Sequence, residues 1–374
     1  MINGARIRQA REFGGFTQAA LADQLGVKQP TVAQFEAGLR QPSPELLQAI
    51  ARLTGFPLAF FRDNTAPVQF PLGSLLFRSH ANTSLRERGR VQSRGELVLE
   101  MATALAEHID MLPVALRKLP GADPADAARR ARLDLRLRPD EPIPDLIQSI
   151  ELAGALVLGL PEFHPKVDAL SAWVGDHGRQ PVIAVLSGKP PDRLRFSTAH
   201  ELGHLLLDHA ARGTPGSKEE HEADAFAAEL LLPADAARQE LTSPVTLSKL
   251  MPLKQRWRIA LSALARRAHD IEVITERQYR YLLTQISVRG WRKQEPDMGI
   301  PREQPRALRQ MAELVYGVPV DVRALAADLR LMPSRVLAIL EVHAGDVASL
   351  DEPSGPRGVV LPLFPDFGGA PSTA

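Results

Sequence analysis

The segment His200-Glu201-Leu202-Gly203-His204 places two histidines and a glutamate within five residues. Positions i and i+4 share a face of a helix, so both imidazole rings can reach one metal ion, and Glu201 beside them can reach a water molecule on that ion. The alternative is a helix that carries three solvated polar residues. Because the flanking positions are heavily apolar, the helix is expected to be buried, and buried His and Glu need partners or a metal.

The chain contains no cysteine, so the remaining metal ligand must be Asp, Glu or His. Sixteen residues after His204, a second helical pattern carries Glu220 and Asp224, which are four residues apart and share a face. In this arrangement Glu220 binds the metal, and Asp224 accepts the outer N–H of a ligating imidazole. Zinc suits three protein ligands and one open position for water. We therefore predict one zinc ion per chain, held by His200, His204 and Glu220.

Other histidines and acids lie near this pattern. His209 lies five residues after His204, about 140° around a continued helix, which predicts a surface position at the helix end. Glu222 points away from Glu220 on the second helix and is expected to be solvated, as is His221. The sequence does not decide which residue would stabilise the oxyanion. The candidates are His164, His177 and His221.

Both stretches resemble the ImmA/IrrE metallopeptidase family. The resemblance covers roughly residues 145–240, and its residues are Arg195 to Ala199 before the first histidine and Glu220-x-x-Ala223-Asp224-x-Phe226 to Pro233 after it. It implies a minimal thermolysin-like zinc-peptidase core and a regulatory protease that cleaves repressors of mobile-element or stress-response genes. It also implies site roles: the ligands are His200, His204 and Glu220, the general base is Glu201, and the outer acid is Asp224.

A second motif, between Thr17 and Gly38, has helix-turn-helix spacing. Gly26 makes the tight turn, and Pro30 suits the first turn of the second helix, where its missing N–H costs nothing. Across residues 4–61 the segment resembles the Xre/lambda-repressor-like family. Residues 1–62 carry seven basic and four acidic side chains, a modest surplus for DNA binding. The alternative is a helical bundle used for protein contacts.

The recognition helix of such a motif enters the major groove by its N-terminal residues. This geometry predicts contacts to base edges from Gln29, Thr31 and Gln34, because a Gln amide can bond adenine bidentately. Gln18 and Lys28 are better suited to phosphates.

Residues 249–293 are mostly helical and contain eleven Lys or Arg against three Asp or Glu, with Trp and Tyr interleaved. Such a surface can track a phosphate backbone and stack unpaired bases, which predicts contact with single-stranded nucleic acid. The alternative is that the aromatic residues form a helical core. The stretch also looks like the C-terminal extension of Xre-plus-ImmA/IrrE fusions. The candidate contact residues are Arg256, Arg258, Arg266, Arg267, Arg289 and Arg292.

The segment from Leu325 to Val336 repeats the pattern of Leu21 to Val32. It predicts a second helix-turn-helix-like unit. Apolar Leu331 and Met332, and the lack of Gln at the reading positions, favour packing or dimerisation over base reading.

The length of 374 residues predicts two to three domains, and the formal net charge of +1 hides an acidic segment at 200–240 and the basic segment after it. Apolar runs are too short for a membrane span, and the start lacks a secretory signal, so we expect a cytoplasmic protein with no membrane partner. The predicted fold is mainly α and multidomain, with an α+β peptidase core around a small sheet. Its segments are a helix-turn-helix domain at 1–62, a linker at 63–95, a helical connector at 96–140, a zinc-peptidase core at 141–240, a basic helical domain at 241–296, a helix-turn-helix-like module at 306–350 and an irregular tail at 351–374.

We therefore predict a DNA-binding, gluzincin-like zinc metalloendopeptidase that regulates transcription or a stress response by hydrolysing a protein partner of the repressor class. One alternative is a non-proteolytic regulator whose peptidase-like domain senses a ligand, a metal or nucleic acid. Another is toxin–antitoxin or phage-related regulation in which DNA binding dominates. Glu201 favours catalysis, because a sensor would not need a glutamate that binds no metal. We also predict that the protein forms a homodimer.

Overall fold

The computed structural model describes residues 1–68, 84–161, 169–175, 178–212 and 216–344. Several sequence predictions lie outside these residues: nearly all of a strand at Val68–Phe77, which the sequence predicts within the linker at 63–95, the candidates His164 and His177, and the tail at 351–374. No described helix has the length and apolar character that a membrane crossing requires.

The described residues contain sixteen α-helices and one small sheet of three strands. This content confirms the mainly helical fold class. The helices are α1 Gly4–Phe13, α2 Gln18–Leu25, α3 Gln29–Glu36, α4 Pro44–Thr54, α5 Leu85–Ala106, α6 Pro124–Asp134, α7 Leu146–Leu152, α8 Pro191–Leu206, α9 Ser217–Leu231, α10 Ala234–Glu240, α11 Leu247–Trp257, α12 Leu261–Asp270, α13 Glu276–Val288, α14 Ala307–Tyr316, α15 Val322–Asp328 and α16 Pro333–Glu341. The strands are β1 Leu156–Leu160, β2 Ala169–Val174 and β3 Gln180–Leu186.

These elements form two compact units. The first contains 1–68, 84–113 and 306–344, and the second contains the described residues of 114–305. The two units are defined by which residues contact one another. The seven segments predicted from the sequence are instead defined by changes in composition and by turn residues. The helix α5 begins at Leu85, inside the segment predicted as a linker, and packs against α1 and α14.

In the first unit, α2 and α3 have the turn chemistry that the sequence predicts. The side chain of Thr17 caps α2 by accepting from the Ala20 N–H at 3.0 Å, and Gly26 ends α2 with a left-handed φ of 66°. Pro30 lies in the first turn of α3. The core beneath them is apolar and contains Leu21, Ala22 and Val32. The local sequence therefore accounts for both helix ends.

The pair α15–α16 repeats this geometry. Asp321 caps α15 by accepting from the Ala324 N–H at 2.9 Å, as Thr17 caps α2. Arg330 has a φ of 54° at the position that corresponds to Gly26. The Leu331 N–H donates to the Ala326 oxygen at 2.8 Å, and the corresponding bond after α2 is 3.0 Å long. The sequence repeat is thus also a structural repeat.

The second unit is built around the sheet, whose strand order is β1-β3-β2. Strand β1 runs parallel to β3 and pairs Leu158 with Ala184, whereas β2 runs antiparallel to β3 and pairs Ser171 with Ile183. The sequence predicts a small sheet in this core, and its strands overlap the short apolar runs at 155–158, 172–174 and 181–186. The helix α8 packs on β2 and β3, and α9 packs on α8, so the two helices with the predicted metal ligands are neighbours.

Buried ion pairs hold the N-terminal half of α8 against later parts of the chain. Arg195 pairs with Glu303, whose other carboxylate oxygen accepts the Leu146 N–H at 3.0 Å. Lys254, with an exposed side-chain fraction of 3%, bonds both Asp192 of α8 and Glu295. These contacts fix the helix from which the candidate metal ligands project, because a buried charge is retained only with its partner.

Candidate metal centre

The helices α8 and α9 bring the three predicted ligands together. The Nε2 atoms of His200 and His204 lie 2.9 Å apart. From α9, Glu220 places one carboxylate oxygen 3.3 Å from the Nε2 of His204 and the other 3.5 Å from the Nε2 of His200. These ligand atoms all lie within 4.8 Å of one another. The i, i+4 prediction on α8 and the choice of Glu220 therefore agree with the geometry.

The donor atoms fit a tetrahedral zinc ion. Zinc–ligand bonds of about 2.0–2.2 Å place ligand atoms roughly 3.3 Å apart. The two Nε2 atoms lie 2.9 Å apart, and each of them has one of the two Glu220 oxygens at 3.3 or 3.5 Å. One oxygen of Glu220, Oε1, is buried and has no hydrogen-bond partner. Burial raises the pKa of Glu220, but the hydrogen bonds and charge that the two neighbouring imidazoles supply when Nε2 is protonated outweigh burial, so the net shift of this pKa is downward. An ionised oxygen and two ring nitrogens that converge on one point suit a cation.

Asp224 lies where the sequence places it. Its Oδ1 is 2.7 Å from the Nδ1 of His200. A hydrogen bond of this kind holds the proton on Nδ1 and leaves the Nε2 lone pair facing the other ligands.

Glu201 is buried beside the ligands, with an exposed fraction of 3%. Its Oε2 accepts a hydrogen bond from the Ser171 hydroxyl of β2 at 2.7 Å. Ser171 is not among the site residues predicted from the sequence. A signal was present, because Ser171 is the polar residue in the otherwise apolar run of β2, and a buried polar side chain needs a partner.

The expectation that His209 is a surface residue is wrong. His209 is fully buried, and its Nδ1 lies 2.8 Å from the Nδ1 of His204. The helix α8 ends at Leu206, and the chain turns at Asp208, whose φ is 53°, so an angle extrapolated along the helix does not apply. Burial, followed by the neighbouring His204, lowers the pKa of His209 to about 4.

Glu222 is also less solvated than expected. Its side chain has an exposed fraction of 19%, and its Oε2 lies 3.1 Å from the Nε2 of His209 and 2.8 Å from the Nη1 of Arg212. His221 is exposed, as the sequence predicts.

On the helix-turn-helix, Lys28, Gln29 and Gln34 are exposed, and Thr31 is half-buried. Gln18 already has protein partners, because its amide donates to Glu36 at 2.8 Å and its oxygen accepts from the Gln29 amide at 2.8 Å. This link aligns the first residue of α3 with α2. The DNA contacts themselves stay predictions.

In the basic region, several candidate arginines have partners within the chain. Arg267 bonds Glu229, Arg256 lies 3.3 Å from Glu240, and Arg266 lies 2.7 Å from Asp270. Arg258 bonds the carbonyl of Pro144. Arg289 and Arg292 are exposed, and the Arg289 guanidinium lies 5.5 Å from the Trp291 ring centre. Much of the local positive charge is therefore balanced by acids, and contact with single-stranded nucleic acid stays a prediction.

The comparisons with known families agree with this geometry. Residues 148–269 match the IrrE N-terminal-like domain, a metallopeptidase-type family, and residues 7–61 match a helix-turn-helix family. The comparison with curated proteins gives no match. The chain thus combines an Xre-like helix-turn-helix domain with an IrrE-like peptidase domain, as the resemblance implied.

Proposed function

We propose that the protein is a DNA-binding, zinc-dependent metalloendopeptidase that regulates transcription or a stress response by hydrolysing a peptide bond in a repressor-type partner. The observation that carries the proposal is the convergence of His200, His204 and Glu220 next to a glutamate that a serine orients. The matched helix-turn-helix and peptidase families support the same combination of activities.

The proposed chemistry divides between the ion and the protein. A bound zinc ion supplies Lewis-acid polarisation of the scissile carbonyl and lowers the pKa of the attacking water. Glu201 accepts the proton of that water and returns it to the leaving amine. Ser171 bonds one carboxylate oxygen of Glu201 and leaves the other for the proton. Asp224 keeps the proton of His200 on Nδ1, so that Nε2 is a ligand.

A peptide substrate is favoured by the strand that carries Ser171. Among the described residues, β2 is an edge strand with β3 as its one strand partner. An extended peptide can add to such an edge through backbone hydrogen bonds. A scissile bond aligned along β2 would lie close to Glu201.

DNA binding is proposed for the exposed N-terminal part of α3. Gln29 and Gln34 are assigned to base edges, with Thr31 between them, and Lys28 to phosphate. Gln18 acts mainly by orienting Gln29, because their side chains are hydrogen-bonded to each other.

The variant Glu201→Gln tests catalysis. We expect the wild type and the variant to bind about one zinc ion per chain, because Glu201 is not a ligand. The variant should retain a partner protein that the wild type cleaves, since the proton acceptor is lost. The measurements are zinc content, identification of the proteins that co-purify with tagged Glu201→Gln, and cleavage of those proteins by each form.

The matched control is Glu107→Gln, an exposed position at the end of α5 that should cleave like the wild type. A wild type without metal, or a Glu201→Gln variant that cleaves normally, would show that the proposed mechanism is incorrect. If both forms bind zinc and neither cleaves any of the co-purifying proteins, the non-proteolytic sensor becomes the better description.

A further inference from the structure

The ligand His204 is connected to α9 through a second, buried histidine. The chain of contacts runs from the Nδ1 of His204 to the Nδ1 of His209 at 2.8 Å, and from the Nε2 of His209 to the Oε2 of Glu222 at 3.1 Å. We infer that His209 and Glu222 are positioning residues, which fix the orientation and tautomer of His204 for metal binding. This inference rests on the proposed metal site.

The positions of the protons follow from the geometry. His204 presents Nε2 to the other ligands, so its own proton must be on Nδ1 if Nε2 is to bind a metal. Two ring nitrogens at 2.8 Å share a single proton, so the Nδ1 of His209 is the acceptor and carries none. The proton of His209 is then on Nε2, where it is donated to the Glu222 carboxylate. One tautomer of each ring satisfies all three groups.

The contacts around this chain restrict its movement. His209 is fully buried, and its ring meets that of His204 at 77° with ring centres 4.9 Å apart. The same Oε2 of Glu222 also accepts a hydrogen bond from the Nη1 of Arg212 at 2.8 Å. A rotation of His204 away from the ligand position would therefore break this hydrogen bond to His209 inside the protein, which is unfavourable.

The arrangement gives each ligating histidine its own carboxylate on α9. Asp224 bonds His200 directly, whereas Glu222 reaches His204 through His209. The third ligand, Glu220, is on the same helix. The helix α9 therefore supplies one ligand and both outer carboxylates, at alternate positions. The packing of α9 on α8 thus places Glu220 beside the two histidines and also fixes the carboxylates that orient them.

Zinc affinity of the purified full-length chain tests this inference, with a chromogenic chelator as competitor. We expect His209→Leu to raise the zinc Kd about 10–100-fold, because it removes the acceptor for His204. We expect His209→Gln to recover most of the affinity, since its amide oxygen can accept from His204 and its NH₂ can donate to Glu222. A purely structural role for His209 would not predict this rescue.

The matched control is His343→Leu, which removes another buried histidine in the first unit and should leave the zinc Kd unchanged. If His209→Leu does not fold, Glu222→Ala replaces it, and it should raise the zinc Kd severalfold, since Glu222 is partly exposed and tolerates truncation. Nitrogen-15 NMR of His204 should show its ring proton on Nδ1 in the wild type. In His209→Leu or Glu222→Ala it should show a mixture of the two tautomers.

The possible failures are distinguishable. If the wild type binds no zinc, both the proposed function and this inference are wrong. If the wild type binds zinc and His209→Leu, or Glu222→Ala in its place, binds it equally well, only this inference is wrong. A His209→Gln variant that binds zinc no better than His209→Leu would also overturn it.

Discussion

At the scale of single residues, one hydroxyl group sets the direction of the proposed general base. Ser171 donates to the Oε2 of Glu201 at 2.7 Å and also lies 3.2 Å from the Glu201 backbone oxygen. Both groups are buried, so water does not replace this bond easily. The carboxylate is therefore held in one rotamer beside the ligands rather than sampling several.

Ser171→Ala should lower kcat/KM about 10–100-fold, because hydrogen bonds to charged groups contribute about 1.5–3 kcal/mol. Zinc content should not change, since Ser171 is not one of the three candidate ligands. Cleavage rate and zinc stoichiometry are the two measurements, and Ser187→Ala is the control at a half-buried position just after β3. Unchanged cleavage by Ser171→Ala would mean that Glu201 does not need this contact.

At the scale of elements, α8 and α9 approach closely at a glycine. A Cβ at Gly203 would lie 3.0 Å from Cδ1 and 3.1 Å from Cγ of the Phe226 ring. Phe226 is fully buried in the core, so the ring cannot move aside freely. The glycine between the two histidines thus allows the helix distance at which Glu220 reaches them.

Gly203→Ala should therefore lower the free energy of unfolding and weaken zinc binding. Overpacking costs about 1–3 kcal/mol, and the better helix propensity of Ala recovers about 1 kcal/mol, so a net loss of about 1 kcal/mol is expected. Urea unfolding and zinc affinity measure the two effects. The double variant Gly203→Ala/Phe226→Leu should regain part of both, because Leu leaves room for the Cβ; if it regains neither, the helix contact is not the cause.

At the scale of the whole molecule, the first unit is assembled from chain segments that are far apart in sequence. The Arg335 guanidinium of α16 lies 4.1 Å from the ring centre of Phe13 and 3.8 Å from that of Phe56, and it donates to the Gly55 carbonyl at 3.0 Å. In the structural repeat, Arg335 corresponds to the reading position Thr31. The position that would face DNA in α3 is thus used for packing in α16.

Arg335→Ala should destabilise the first unit by about 2 kcal/mol, through the lost cation–π contacts and the lost packing of the side chain. Amide hydrogen exchange of α1, α4 and α16 measures this loss and should speed up together, while the sheet of the second unit is unaffected. Arg323→Ala, at an exposed position of α15, is the control. Normal protection of α16 in Arg335→Ala would show that residues 306–344 are held by other contacts.

Features that depend on local spacing could be predicted from the sequence. The ligands His200 and His204 follow from helical periodicity, the turn of α2–α3 from Gly26 and Pro30, and the strands from short apolar runs. In each case, the determining interactions lie within a few residues along the chain, where backbone geometry is regular.

Features that depend on contacts between distant segments could not be predicted in this way. Ser171 meets Glu201 because of the register of β2 against β3 and the packing of α8 on the sheet. His209 turns inward because α8 ends at Leu206 and the chain turns at Asp208. The sequence alone thus determined which atoms could bind a metal and which helices could read DNA. Only the tertiary structure decided what orients those atoms, because orientation depends on side chains that folding brings together from far apart in the chain.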